Sequence, residues 1–344
     1  MPNYVTVFLV ALVVAVVLTP LVKKLALRMG VVDQPVERSV HKEPTPHLGG
    51  VAIYAAFVVS ALVGIGAEAP ESRGILVGGT LILLLGLVDD IWRLSPKAKF
   101  VGQVIIAMVV VAFGVRIQWV TNPFGGMFML GSWSIPLTVL WIVAVVNVIN
   151  LIDGLDGLAA GISSIAAVTL FFVALGKGYS HVVVLTAALA GSTLGFLPYN
   201  FNPAKIFMGD SGAMFLGYAL AAIAVEGTLK STTTIALAIP ILALGLPILD
   251  TSFAIVRRFA ARRPIHQADR EHLHHRLLDL GLTQRQTVVV MYAVSGWLGV
   301  NAILLAEMNT IKGFLLIALV CSVLFLGARK VGILNIRQGR NINR

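Results

Sequence analysis

Long apolar runs separated by short polar connections make up most of the chain. Most of the eleven runs approach the length that an α-helix needs to cross about 30 Å of hydrocarbon, and the alternating pattern of a β-barrel is absent. The pattern therefore predicts an all-α polytopic membrane protein with about eleven transmembrane helices, forming one integral-membrane domain over residues 1–344. The runs cover residues 4–22, 48–67, 74–88, 100–115, 135–149, 158–175, 182–197, 212–226, 234–256, 287–306 and 310–327.

The composition agrees with this class of protein. Hydrophobic residues make up 58% and charged residues 12% of the 344 residues, whereas soluble domains carry about 25% charged residues. The single cysteine, Cys321, lies in an apolar run, which excludes a disulfide framework and a cysteine-based metal site. The net charge of +10 is typical of orientation bias and of attraction to anionic lipid and phosphate, so we expect no nucleic-acid partner.

The charged residues are divided unevenly between the two sides of the predicted membrane. Alternate connections place 21 of the 26 Lys and Arg residues on one side, which the positive-inside rule assigns to the cytosol. The N-terminus is then outside and the C-terminus is cytosolic. Twelve of the 16 acidic residues and six of the seven histidines lie on or near the same side. We therefore expect the active site to face the cytosol.

A stretch rich in carboxylates and amides joins the fifth and sixth runs. Residues 147–161 contain Asn147, Asn150, Asp153 and Asp156, with no Lys or Arg to neutralise the two aspartates. Carboxylates at the mouth of a membrane are costly unless something pairs with them, and a hard cation carrying a phosphorylated substrate would do so. The alternative is that Asp156 caps the next helix and Asp153 faces water.

Two adjacent aspartates end the third run. Asp89 and Asp90 lie at about membrane-surface depth, and Lys97 and Lys99 open the next run. Adjacent like charges repel, so one carboxyl has a raised pKa or both face a cation. The alternative is an ordinary set of charges at helix ends.

The connection before the eighth run, residues 198–212, combines an acid with a polar and an aromatic side chain. Asp210 precedes a predicted helix, where its carboxylate could bind metal and the free N–H groups could bind a phosphate. Asn200 and Phe207 lie in a loop where a nucleotide base could stack. The alternative for Asp210 is a simple N-cap.

Residues 257–286 form the only substantial cytosolic segment and contain seven Arg and four His. The pattern over 269–281 predicts a short amphipathic helix in which His272, His275 and Arg276 share one side. A zinc site would need a further ligand to complete its tetrahedral set, and none is near in sequence. An arginine-rich arm over a carboxylate site suits an anionic nucleotide; a surface for anionic lipid is the alternative.

Two other segments are consistent with a phosphorylated lipid substrate. In residues 41–50, Lys42 could meet a phosphate, although a solvated basic loop is an equal alternative. Pro240, Gly245 and Pro247 interrupt the ninth run. They predict a broken or bent helix, which would leave a lateral groove for a long lipid chain.

These segments together resemble the polyprenyl-phosphate N-acetylhexosamine-1-phosphate transferases, the family of MraY, WecA and TagO. The resemblance extends from the first run to about residue 290 and rests on four motifs. They are Val-Asp-Asp at 88–90, Asn-Leu-Ile-Asp-Gly-Leu-Asp-Gly at 150–157, Phe-Met-Gly-Asp-Ser-Gly at 207–212 and His-Leu-His-His at 272–275. The last has the His-x-His-His form of the WecA and TagO branch, whereas the MraY branch has three consecutive histidines.

The resemblance implies a reaction, a cofactor and a location. The branch transfers N-acetylglucosamine 1-phosphate from UDP-N-acetylglucosamine to undecaprenyl phosphate and releases UMP, in the bacterial plasma membrane, as the first membrane step of cell-envelope glycan synthesis. It implies Mg²⁺, with Mn²⁺ as a substitute, and often a homodimer. Another UDP-N-acetylhexosamine or UDP-MurNAc-pentapeptide is the alternative donor. A transporter of anionic substrates is the alternative class, but it would place ionisable groups at the bilayer midplane, and none lies deep in any run.

The resemblance also implies roles for residues at matching motif positions. Asp210 matches the metal-binding aspartate, with Asp153 as a second metal candidate, and Phe207 matches the aromatic that stacks on uracil. Asp89 and Asp90 match a pair that activates or holds the lipid phosphate. The expected catalytic residues are Asp89, Asp90, Lys99 and Asp210. The expected substrate-binding residues are Lys42, Asn150, Asp153, Asp156, Asn200, Phe207, Arg270, His272, His274 and His275.

Overall fold

A computed structural model describes residues 3–33, 44–65, 70–121, 127–229, 237–260 and 272–330. Within these ranges nearly all regular structure is helical. The helices are α1 Tyr4–Met29, α2 Gly49–Ile65, α3 Pro70–Trp92, α4 Pro96–Ala112, α5 Ser134–Ile152, α6 Leu158–Lys177, α7 Ser180–Asn200, α8 Gly209–Leu229, α9 Ala238–Ala243, α10 Gly245–Ala260, α11 Leu273–Asp279, α12 Gln284–Glu307 and α13 Thr310–Lys330. Two small antiparallel ribbons pair β1 Val32–Asp33 with β2 Thr45–Pro46, and β3 Trp119–Thr121 with β4 Met127–Met129.

The helices follow the apolar runs, so the prediction of an all-α polytopic membrane protein is confirmed. In the described part of the chain, seven helices are long and apolar enough to cross a membrane by length and composition: α1, α3, α5, α6, α7, α12 and α13. The ninth run is broken at Leu244 into α9 and α10, at the proline and glycine positions that predicted a break. Eleven spans, and the orientation of the termini, remain predictions.

The core of the bundle lies around α7 and α8. Helix α7 packs against α1, α2 and α6, while α8 packs against α3 and α5. The Tyr218 hydroxyl on α8 donates to the carbonyl oxygens of Gly74 and Ile75 on α3, 3.2 Å away in both cases. By contrast, α1 and α13 expose rows of apolar side chains such as Val13 and Leu315. Such faces suit contact with lipid, so the bundle buries its two central helices and presents its outer ones to the membrane.

Small residues bring three helices together where α8 begins. A Cβ added at Gly50 of α2 would overlap the backbone of Gly212, and one added at Gly86 of α3 would overlap the backbone of Ser211. Main-chain hydrogen bonds reinforce this contact: Gly50 N–H donates to the Met208 carbonyl oxygen at 2.8 Å. The start of α8, which carries Asp210, is therefore fixed closely against α2 and α3.

Candidate active site

A cavity of about 740 Å³ opens where the polar ends of these helices meet. This volume lies within the range of small-molecule sites, about 300–1,000 Å³. The cavity brings together residues that the sequence placed in four separate segments. Its lining includes Asp89, Asp90, Asp153, Asp156, Asn200, Phe207, Asp210 and His275.

Asp210 lies in the first turn of α8, where side chains from two other helices hold its carboxylate. Asn150, in the last turn of α5, donates its side-chain N–H to Asp210 Oδ1 at 2.5 Å. Lys99, in the first turn of α4, places Nζ 3.4 Å from Asp210 Oδ2. The Asp210 side chain is still 36% exposed. The carboxylate is thus held in place but remains open to the cavity.

Asp90, rather than Asp210, caps helix α8. Its Oδ1 accepts from the Asp210 backbone N–H at 2.7 Å and its Oδ2 from that of Ser211 at 3.2 Å. These are two of the N–H groups that the start of a helix leaves without an internal partner. The alternative interpretation of Asp210 as a simple N-cap is therefore wrong, because a carboxylate from α3 performs that task.

Asp89 is buried beside the turn between α3 and α4. Its Oδ1 accepts from Leu94 N–H at 2.8 Å, while Oδ2 forms an ion pair with Lys99 Nζ. Lys99 therefore bridges Asp89 and Asp210. The two adjacent aspartates have different surroundings, since Asp89 contacts the lysine and Asp90 contacts the start of α8.

Asp153 and Asp156 also have different surroundings. Burial, together with the negative charges of Asp210, Asp90 and Asp156, raises the pKa of Asp153 to about 8. Asp156 Oδ2 accepts from the Asn202 side chain at 2.9 Å and from Ala204 N–H at 3.0 Å. The residue preceding α6 is Gly157, with no side-chain cap, so the interpretation of Asp156 as a helix cap is wrong. Asp156 instead fixes the loop that leads to Phe207.

That loop presents Asn200 and Phe207 to the cavity. Asn200 is 3% exposed and donates to the Ile206 carbonyl oxygen at 3.0 Å. Its Oδ1 is buried and has no hydrogen-bond partner among the described residues. A buried acceptor without a partner is costly, and a ligand N–H in the cavity would satisfy it. Phe207 adds an aromatic ring on the same wall.

The three motif histidines lie at the start of α11. The His272 and His274 rings stack with centroids 5.8 Å apart and 5° between their planes, and His275 packs 4.2 Å from His274. His274 is buried, and burial together with the charge of His275 lowers the pKa of His274 to about 4. It is therefore a neutral ring near pH 7. A Cβ added at Gly154 would lie 2.9 Å from His274 Nε2, so this ring packs against the loop that carries Asp153.

The predicted amphipathic helix is shorter than expected within the described residues. Helix α11 begins at Leu273, so His272 precedes it and is buried rather than aligned with His275 and Arg276. Lys42 and Arg270, both predicted to bind substrate, lie outside the described residues.

Several residues that line the cavity were not predicted from the sequence. They are the segment Met29–Asp33, His47, Ile91, Arg93 and Gln284. His47 lies 3.3 Å from the Asp90 carbonyl oxygen through Nε2, and the Gln284 side chain accepts from Asn202 at 2.6 Å. His47 lies within the 41–50 segment, from which only Lys42 was predicted to bind substrate, so its place in that segment was a usable signal. Gln284 opens α12 far along the chain, and only the folded chain brings it near Asn202.

Comparison with known proteins identifies the family. The model of glycosyl transferase family 4 matches residues 72–228. The chain is 42% identical to the "Probable undecaprenyl-phosphate N-acetylglucosaminyl 1-phosphate transferase" of Bacillus subtilis over 97% of this chain and 94% of that protein. It is 38% identical to the decaprenyl-phosphate N-acetylglucosaminephosphotransferase of Mycobacterium tuberculosis over 86% of this chain and 80% of that protein. It is also 32% identical to the phospho-N-acetylmuramoyl-pentapeptide-transferase of Moorella thermoacetica over 74% of this chain and 82% of that protein. The chain therefore belongs to glycosyl transferase family 4.

Proposed function

We propose that the cavity around Asp210 is where this chain carries out the reaction for which its relatives are named. The chain transfers N-acetylglucosamine 1-phosphate from UDP-N-acetylglucosamine to undecaprenyl phosphate and releases UMP. The observation that carries the assignment of the site is the set of contacts at Asp210. Lys99 and Asn150 hold its carboxylate open to a cavity that also contains Asp153.

The surroundings of Asp153 and Asp210 fit a divalent cation. Mg²⁺ binds proteins through one or two carboxylates and completes its shell with water and substrate phosphates. No three acidic or imidazole side chains within the described ranges are placed to hold an ion by themselves, so the donor diphosphate would supply further ligands. Burial, and after it the negative charges of Asp210, Asp90 and Asp156, raises the pKa of Asp153. A cation bound by Asp153 and Asp210 would offset this repulsion. When bound, Mg²⁺, or Mn²⁺ in its place, neutralises charge that develops on the diphosphate.

Other side chains that line the cavity would hold the donor. Phe207 offers a face for the uracil ring, and Asn200 Oδ1 offers the acceptor that a base N–H requires. His275 lines the same cavity. Burial keeps His274 neutral near pH 7, so it acts through packing and hydrogen bonding. Lys99 is the cation placed to meet negative charge beside Asp210.

The acceptor phosphate would attack the donor β-phosphate directly. It is already an anion near neutral pH, so it needs positioning more than deprotonation. Asp89 and Asp90 lie in the last turn of α3, which the sequence predicts at membrane-surface depth. Their hydrogen bonds and ion pair support a positioning role. The competing route, a covalent phospho-enzyme on an aspartate, predicts UMP release before any lipid arrives.

The proposed orientation places this cavity at the cytosolic face of the bacterial plasma membrane. UDP-sugars are soluble dianions made in the cytosol, and the uneven division of Lys and Arg supports the same side. A reporter fused to the C-terminus should be active only in the cytosol, and activity only outside would overturn the topology. The family resemblance supports a homodimer, which the mass of the protein in detergent would test.

One assay tests the reaction and its route. Purified protein should release UMP from UDP-N-acetylglucosamine only when both polyprenyl phosphate and Mg²⁺ are present. A transporter would release none. Labelled UMP should not exchange into UDP-N-acetylglucosamine without the lipid. Robust lipid-independent exchange that disappears in Asp89→Asn or Asp90→Asn would contradict the direct route.

A further inference from the structure

Asp250, on helix α10, contacts the histidine motif that precedes and begins α11. It lies in α10, one to two turns after the break at Leu244, and is 7% exposed. Its Oδ2 lies 3.0 Å from His272 Nδ1, and its Oδ1 accepts from the Leu273 backbone N–H at 2.8 Å. One carboxylate therefore holds both the histidine before α11 and the first residue of that helix.

The position of α11 matters because one of its histidines, His275, lines the cavity. His272 stacks on His274, which packs against Gly154, and His275 lines the cavity. A shift of His272 would therefore move both rings that follow it. Asp250 itself does not line the cavity, so any effect on substrate must pass through these histidines.

The other side of α10 faces away from the site. Val256 and Phe259 are 62% and 78% exposed, which suits contact with lipid, while α10 packs inward against α5 and α12. Asp250 thus joins a helix with a lipid-facing surface to a helix that contacts the donor site.

We infer that Asp250 is a positioning residue for the donor, which fixes His272 and the start of α11 so that His274 packs against the Gly154 loop and His275 meets the nucleotide sugar. This inference rests on the proposed donor site. The carboxylate provides two acceptor atoms that are both used, and an asparagine provides only one. Losing a buried hydrogen bond to a charged acceptor weakens an equilibrium constant by about tenfold or more.

The test compares Asp250→Asn with Asp279→Asn in the full-length protein. Asp279 is exposed at the other end of α11, so the second variant makes the same chemical change without the contact. Asp250→Asn should raise the KM for UDP-N-acetylglucosamine, and the Kd for UDP measured by calorimetry, by about tenfold. The KM for polyprenyl phosphate should stay unchanged, and Asp279→Asn should match the parent protein.

Two further variants separate positioning from a general loss of structure. His272→Asn keeps the bond from Leu273 to Asp250 and should reproduce the donor defect, so it carries the test if Asp250→Asn does not fold. The donor KM of the double variant should be no higher than that of the more impaired single variant, because both substitutions break the same contact. An unchanged donor KM, or an equal rise in both KM values together with a lower Tm, would overturn the inference. Turnover of the wild-type protein under the same conditions distinguishes failure of this inference from failure of the proposed function. The proposed function fails only if the wild-type protein releases no UMP.

Discussion

Replacing Asp90 by asparagine would distinguish a capping role from a chemical one. Its carboxylate receives the Asp210 and Ser211 backbone N–H groups at 2.7 Å and 3.2 Å. Asparagine has the same size but only one acceptor oxygen, and it removes the negative charge that favours a helix N-terminus. The start of α8 would therefore keep one of its two bonds. Asp210 would remain in the first turn of a less firmly held helix.

The size of this effect follows from the bond that is lost. A hydrogen bond to a charged acceptor contributes about 1.5–3 kcal/mol, or roughly 10- to 100-fold in an equilibrium constant. Hydrogen exchange at the Ser211 amide should accelerate by roughly that factor, because the local opening becomes easier. Turnover should fall by a similar factor or less, and Mg²⁺ affinity should fall only slightly, since Asp90 is not among the proposed metal ligands.

The assay requires three measurements on the same preparations: exchange at the start of α8, Mg²⁺ affinity by calorimetry, and UMP release. Asp210→Asn is the reference for loss of a metal ligand. If Asp90→Asn leaves the α8 amides protected but abolishes turnover as fully as Asp210→Asn does, then Asp90 acts chemically and the capping argument fails. Loss of Mg²⁺ affinity equal to that of Asp210→Asn would refute it as well.

Three further predictions test the remaining features of the site. Asp210→Asn should abolish Mg²⁺ affinity and turnover together, and retained Mg²⁺ affinity in calorimetry would contradict the metal assignment. Because the pKa of Asp153 is about 8 without a cation, protons compete with the metal below that pH. Mg²⁺ affinity should therefore rise as the pH approaches 8. The Asp153→Asn variant should lose this pH dependence of Mg²⁺ affinity. Stability of the metal-free protein should fall over the same rise in pH, from the ordinary Asp pKa of 3.8 towards 8, because the folded state holds the proton more tightly. Gly86→Ala would overlap the Ser211 backbone and should cost about 1–3 kcal/mol with lost activity, whereas Gly296→Ala, which has open space around it, should be nearly neutral in Tm.

The helical architecture was predictable because long apolar runs indicate segments that leave water, either for the protein core or for lipid. The break of the ninth run at Leu244 was also predictable, because Pro240, Gly245 and Pro247 act on the backbone near them. The sequence indicated that the acidic segments belong to one site, and the cavity contains all five of the predicted aspartates, on α3, on α8 and in the loop between α5 and α6. These features depend on local backbone chemistry or on the division of charged residues between the two sides of the membrane, and both can be read from one sequence.

The contacts that each aspartate makes within the site were not predictable from the sequence. Asp89 and Asp90 are identical neighbours in the sequence, yet one pairs with Lys99 and the other caps α8. Each outcome depends on which helix packs opposite, and that packing is set by close approach at positions such as Gly86. His272 was misplaced for the same reason, since its partner Asp250 lies in another helix.

Asp90 and Asp250 have the same structural role for two different helices that carry residues of the cavity. Each carboxylate lies on one helix and accepts a backbone N–H at the start of another, α8 for Asp90 and α11 for Asp250. A helix start that is held from outside keeps the side chains of its own first turn at the cavity, where Asp210 and His275 lie. An enzyme that must place a soluble nucleotide sugar beside a membrane-bound phosphate requires groups fixed closely in space. Acids that appear catalytic by their spacing in the sequence can therefore serve the reaction by fixing the helices that carry the reacting groups.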